Sequence, residues 1–164
     1  ELPLDWFYQD GVLLDFSGQK RSAEAISLAD VRVKLEAIGY RLKPQDIVLV
    51  RTGAGDSFMD DPNFAELSAA LEPSALLWLL DQGIRVIGCD SESLDGPPSL
   101  MVEALRRGKK EAFYPIHYTG RAREFCLIHK MDLRSLPRPY GFKVVAFPIK
   151  LERCGAAWTR AVAL

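Results

Sequence analysis

The stretch RVIGCDSESLD, from Arg85 to Asp95, sets a short β-branched run against an acidic, serine-rich tail. The first half reads as a strand buried on both faces, and the second as a loop at its carboxyl end, continued by Gly96 and two prolines. Working outward, DIVLVRTG (Asp46 to Gly53) repeats the theme, and GVLLDF (Gly11 to Phe16) gives it again in shorter form. Helices fall between and after these runs. SLADVRVKLEAIG opens with Ser27 as N-cap and Asp30 three residues on, carries Val31, Leu35 and Ile38 at helical spacing, and stops at Gly39. EPSALLWLLDQG has Pro73 near its start and Gly83 at its end, and SLMVEALRRG is closed by Gly108. AGDSFMDDPN, between the second strand and the second helix, reads as loop.

From Glu111 onward the pattern reads as successive strands: EAFYPI, FCLIHKM, KVVAFPIKL and WTRAVAL, with Pro148 marking an edge or a bulge. Helices alternating with strands, followed by strands in succession, predict an α/β single domain with a mixed, strand-rich sheet and flanking helices.

Composition narrows the function classes. The 164 residues carry 21 Lys and Arg against 22 Asp and Glu, a net charge of -1, which gives no bulk attraction to nucleic acid or an acidic membrane. RRGKK (Arg106 to Lys110) reads as a solvated helix end rather than a phosphate patch. Three widely spaced cysteines without a CxxC suggest neither a zinc ribbon nor a disulfide framework, and a reducing, cytoplasmic setting is expected. No apolar run approaches the ~18 residues of a bilayer span.

There is no GxSxG, P-loop, GxGxxG or HExxH. What remains is two loops, an aromatic pair and a pair of histidines. His117 and His129 stand twelve positions apart in YPIHYTGRAREFCLIHK. Were the flanking runs a hairpin centred near Arg123, the two rings would face each other as cross-strand neighbours, about 4.5–5.5 Å apart at Cβ, close enough to share a metal. On residue types alone two structural histidines are the favoured reading, because catalytic zinc usually takes three protein ligands. CDSESLD places Asp90, Glu92, Ser93 and Asp95 where α/β proteins put ligand chemistry, or forms a capped acidic turn. RTGAGD (Arg51 to Asp56) offers glycine-flanked backbone and a guanidinium, or a tight turn with a surface arginine. Trp6 and Phe7 wall a pocket or fill a core.

Four segments, GVLLDF, DIVLVRTG, GIRVIGCDSESLD and FPIKLERCGAAWTRAVAL, together resemble the metal-dependent cyclase family, which includes bacterial kynurenine formamidases and isatin hydrolases. Its patterns are a strand ending in RTG, a strand with IGxDxxSxD, and a terminus running from P-(L/I)-K to R-A-(V/I)-A. The resemblance implies a divalent metal, zinc or manganese, that activates water to open an amide or cyclic amide of a small molecule. Most of that family's ligands, and a histidine base, lie in an N-terminal HxGTHxDxPxH motif, which this sequence does not contain. LPLDWFYQDGVLLDF resembles the segment that follows the motif, so residues 1–164 are expected to form a cyclase-like domain lacking that segment. A removed stretch or a separate small chain would then supply it.

In family members with a second metal, a later His and a Glu twelve residues beyond complete that site. His117 matches the His, and His129 stands at the Glu position, where imidazole can replace carboxylate as a ligand. The resemblance further implies that Asp90 and Ser93 shape the catalytic loop, with Arg51 and Trp6 on the substrate side and a homo-oligomeric assembly. The alternatives are a non-catalytic binding or assembly protein on the same fold, and a biosynthetic cyclase acting on a carbonyl.

Overall fold

The β-branched runs at the centre of the sequence have apolar side chains at successive positions, so they require cover on both faces. The computed structural model describes residues 2–19, 24–57 and 60–164. Among these, six strands form one sheet: β1 (Tyr8–Asp15), β2 (Ile47–Arg51), β3 (Val86–Cys89), β4 (Cys126–Ile128), β5 (Tyr140–Val145) and β6 (Val162–Ala163), in the order β4-β3-β2-β1-β5-β6. The first four are mutually parallel, and β5 and β6 add antiparallel, making the mixed sheet of an α/β fold.

The strand period of two sorts the side chains. Val12, Leu14, Val48, Val50, Ile87 and Cys89 face one way, where Val31 and Leu35 of α1 (Leu28–Ala37) and the Leu76 and Leu79 side of α2 (Pro73–Asp81) pack on them. Leu13, Ile47, Leu49 and Val86 face the other way, covered by Trp6, Phe7, Leu133 and Phe142. α1 starts as its sequence dictates: Ser27 accepts from Asp30 N–H, and the Asp30 carboxylate accepts from Ser27 N–H, the reciprocal capping box. Of the loop expected over AGDSFMDDPN, Ala54–Ser57 forms a 3₁₀ turn, and Phe58 and Met59 lie outside the described residues.

The second half departs from the expected run of strands. EAFYPI is not a strand. A 3₁₀ turn at Lys110–Ala112 leads to the short helix α4 (Pro115–Thr119), because proline at the first helical position has its φ preset and no N–H to satisfy. FCLIHKM yields only the three residues of β4, which pairs parallel with β3, so no hairpin joins the two histidine segments. β5 ends at Val145, and Pro148 lies beyond it in an isolated bridge to Thr159. α3 (Pro98–Arg106) follows the β3 loop as expected.

Two features hold the sheet where it supports the carboxyl-end loops. Gly11 sits at the β1–β5 bulge beneath the Phe142 ring, and a Cβ there would lie 2.7 Å from Val144 Cγ2 and 2.8 Å from Phe142 Cδ2. Asp90 ties the end of β2 to the end of β3. Its buried carboxylate accepts from Thr52 N–H (2.7 Å), Thr52 Oγ1 (2.8 Å) and Gly53 N–H (2.9 Å). Gly11→Ala is therefore expected to destabilise the fold by about 1–3 kcal/mol through overpacking. Gly155→Ala, where an added Cβ meets nothing within 4 Å, should change stability by less than about 0.5 kcal/mol. Asp90→Ala, which strands the buried Thr52 N–H and the part-buried Gly53 N–H, should cost roughly 2–4 kcal/mol. Urea unfolding midpoints at unchanged slope measure all three.

Candidate functional site

The parallel pairing of β3 with β4 brings their following loops side by side at one edge of the sheet. Lys130 N–H donates to Ser91 C=O (3.1 Å), and Met131 N–H donates to Cys89 C=O (2.9 Å). His129, one residue past β4, is thereby held against the loop that carries Ser93 and Asp95. From the third side α4 delivers His117 and, just before it, Tyr114, whose φ of 52° and ψ of 51° turn the chain into the helix.

Asp95 joins these pieces. Its side chain has no exposed surface. Oδ1 accepts from Ile116 N–H (2.7 Å) and His117 N–H (3.3 Å), the donors left unpaired at the start of α4. Oδ2 accepts from Ser93 Oγ (2.6 Å) and lies 2.5 Å from His117 Nδ1. Ser93 Oγ in turn accepts from Asp95 N–H (2.9 Å). An ionised carboxylate only accepts, so Nδ1 of His117 carries the proton and Nε2 is left for another partner.

The His117 and His129 ring centroids are 5.5 Å apart, with Tyr114 edge-on to His117 at 5.7 Å. Nε2 of His129 is buried and has no hydrogen-bond partner among the described residues. The two imidazoles, Ser93, Tyr114, Glu92 and Met101 line a cavity of about 140 Å³.

The two histidines are driven in opposite directions. The hydrogen bond to Asp95 raises His117 above the ordinary imidazole range, against the opposing effect of burial. Burial lowers His129, and the neighbouring His117 lowers it further. Burial works to raise Asp95, but hydrogen bonds from His117 and Ser93 overcome it and hold the carboxyl below its usual value. Asp95 and His117 thus form a coupled pair, each biased towards its charged form, beside a His129 ring biased towards its neutral form. Burial pushes the Cys89 thiol up to about 12, so it is no nucleophile at neutral pH.

Of the residues singled out in the sequence, Glu92, Ser93, His117 and His129 meet at this cavity. Asp90 does not line it, its carboxylate being engaged by Thr52 and Gly53. Arg51 sits at the end of β2 between Asp15 (2.9 Å) and Asp56 (3.1 Å). Trp6 packs with Phe7 and Phe142 in the core on the face of the sheet opposite α1 and α2. Sequence reasoning missed Tyr114 and placed Asp95 only as one acid of the CDSESLD loop. Asp95 is the last residue of the IGxDxxSxD pattern and was legible there, whereas nothing in the sequence marks Tyr114. Among the described residues no group of three or more His, Cys, Asp and Glu is arranged to hold a metal, and no helix is long and apolar enough to cross a membrane.

The profile of the family described as "Putative cyclase" matches residues 1–96. No curated protein matches this sequence significantly. Among solved structures, an isatin hydrolase bound to the product analogue thioisatinate is 19% identical with a TM-score of 0.82, covering 99% of this chain and 62% of that one. Isatin hydrolase A from Ralstonia solanacearum is 18% identical with a TM-score of 0.80, covering 99% and 62%. A "predicted metal-dependent hydrolase" from Bacillus stearothermophilus is 22% identical with a TM-score of 0.68, covering 98% and 65%. The chain thus spans less than two thirds of the length of these three structures, and at these identities the likeness is one of fold. The family match extends over more than half of the sequence and includes both the RTG and the IGxDxxSxD strands, so the chain belongs to the cyclase family.

Proposed function

We propose that this chain forms the larger part of a metal-dependent hydrolase that opens an amide or cyclic amide of a small molecule, with His117 and His129 contributing to the metal site. The observation that carries the reading is the buried, unpartnered Nε2 of His129 beside a second imidazole whose other nitrogen is already committed to a carboxylate.

The residues present fit a cation in part. Two imidazoles on one tetrahedral zinc, with Zn–N about 2.0–2.1 Å, have ring centres roughly 5.3 Å apart, and the observed separation is 5.5 Å. Two nitrogen donors fall short of the three protein ligands usual at catalytic zinc, so we assign the remaining ligands to a further segment or chain. Histidine at the position where carboxylate is the family's pattern removes a hard anionic ligand and favours zinc over manganese.

When bound, a divalent cation supplies Lewis acidity and lowers the pKa of water. The chain's own residues do the rest. Asp95 holds the His117 ring in place, His129 stays neutral, and the Tyr114 hydroxyl and the Glu92 carboxylate supply polar groups around the cavity. In hydrolysis, water adds to the carbonyl carbon, the C–N bond breaks, and the leaving nitrogen takes up a proton. A cavity of about 140 Å³ suits a single ring, since a void of about 150 Å³ accommodates benzene.

Isothermal titration with zinc, and the visible spectrum of the cobalt form, test the reading. One ion per chain is expected. Each of His117→Ala and His129→Ala should weaken binding by about tenfold or more, since each removes one of the two nitrogen donors the chain supplies, and the double variant should bind none. Zinc-dependent ring opening of a lactam or release of formate from an N-formyl arylamine, lost in the double variant, is the expected activity. Ring closure instead would indicate a biosynthetic cyclase. No binding at millimolar zinc, with wild type and double variant alike, rejects the metal reading and leaves a non-catalytic member of the family.

A further inference from the structure

We infer that Asp95, braced by Ser93, is a positioning residue that fixes the tautomer and orientation of His117 so that Nε2 presents its lone pair to the cavity. The inference deepens the proposed function and rests on it only for the use made of that lone pair; the tautomer itself is a property of this chain alone.

The argument turns on the two oxygens having separate tasks. Oδ1 is held by the backbone N–H groups of Ile116 and His117, and these two donors cannot rotate. The carboxylate plane is therefore set by the helix start, which aims Oδ2 at Nδ1, 2.5 Å away. A carboxylate needed only to cap α4 would be served by Oδ1. Ser93 closes a ring around the other oxygen, donating to Oδ2 and accepting from Asp95 N–H, so Oδ2 keeps its aim when the ring of His117 moves. The side chain has no exposed surface, so no water competes for either oxygen. The sequence places Ser93 and Asp95 two apart on one loop and His117 on another element. The arrangement thus couples the loop after β3 to the imidazole, as outer carboxylates do for ligating histidines in general.

An Asp→Asn exchange separates positioning from capping. The two backbone donors require an oxygen at the Oδ1 place, so the amide nitrogen must occupy the Oδ2 place. There it donates to Nδ1 and forces the proton of a neutral His117 onto Nε2, at nearly unchanged shape, as an asparagine beside a histidine is known to do. The Ser93 hydroxyl can rotate to accept from the amide.

Long-range proton–nitrogen correlation spectra of the nitrogen-15 histidine-labelled protein, at a pH where both imidazoles are neutral, read the tautomer directly. The chain has 2 histidines, so His129→Ala completes the assignment. Wild type should show Nδ1–H at His117, Ser93→Ala should keep it, and Asp95→Asn should show Nε2–H with zinc affinity lowered by about 10–100-fold. Nε2–H in wild type, or Nδ1–H retained in Asp95→Asn, overturns the inference. If Asp95→Asn does not fold, the wild-type and Ser93→Ala tautomers decide. If the tautomer inverts while zinc binding is unmoved, the positioning role stands, and the assignment of the metal to His117 Nε2 falls.

Discussion

A carboxylate removed from water needs hydrogen bonds to replace its hydration, and the loop end of this sheet is built around two that find them. Asp90 takes its donors from the end of β2, and Asp95 takes its donors from the start of α4 and from Ser93. Both lie on the one loop after β3. Each draws in a different element, so the segment between them is pinned at both ends, and the Ser93 hydroxyl inside it has little freedom. The position of His117 depends on this, because α4 is only five residues long and has little packing of its own beyond the buried Ile116. Without Asp95 the helix would lose its cap and His117 its partner together.

The same loop explains how two histidines on different elements come to face each other. The sequence permitted a hairpin, which would have set the rings by cross-strand register. The structure reaches nearly the same proximity by another route. β4 lies parallel to β3, so the residue after β4 leaves the sheet at the same edge as the residue after β3, and α4 closes over both. A parallel pair leaves the chain ends of neighbouring strands together, and this is why ligand sites in such sheets gather at carboxyl edges.

The first half of the fold was legible because its signals are local and agree with one another. In α1 the capping box, the apolar spacing and the glycine stop all fall within thirteen residues, and each appears as read. The runs from Ile47 to Val50 and from Val86 to Cys89 carry no charged residue and are too short for amphipathic helices. EAFYPI was misread because Phe113, Tyr114 and Ile116 have strand-like side chains, while the deciding contact, Asp95 on the N–H groups of Ile116 and His117, comes from about twenty residues upstream. For the site, the sequence supplied the CDSESLD loop with Ser93, and His117 and His129. It could not rank Asp90 against Asp95, since both are acidic residues of one loop, and only the partners they meet in three dimensions distinguish lacing from ligand positioning.

His129 then poses an energetic question that bears on function. A buried nitrogen without a partner costs about 1–3 kcal/mol, a sizeable share of the roughly 5–15 kcal/mol by which domains are stable. A leucine or methionine at residue 129 would fill the space without that cost. Burial and the neighbouring His117 also oppose protonation, so the ring cannot recover the loss by charging. His117 shows the contrast: its Nδ1 has a carboxylate partner, in a chain that supplied one through Asp95 and Ser93. A fold that satisfies one imidazole so fully and leaves its neighbour's nitrogen open within the same small cavity is better matched to an incoming electrophile than to packing alone. That asymmetry, more than the mere presence of two histidines, supports reading the cavity as part of a cation site.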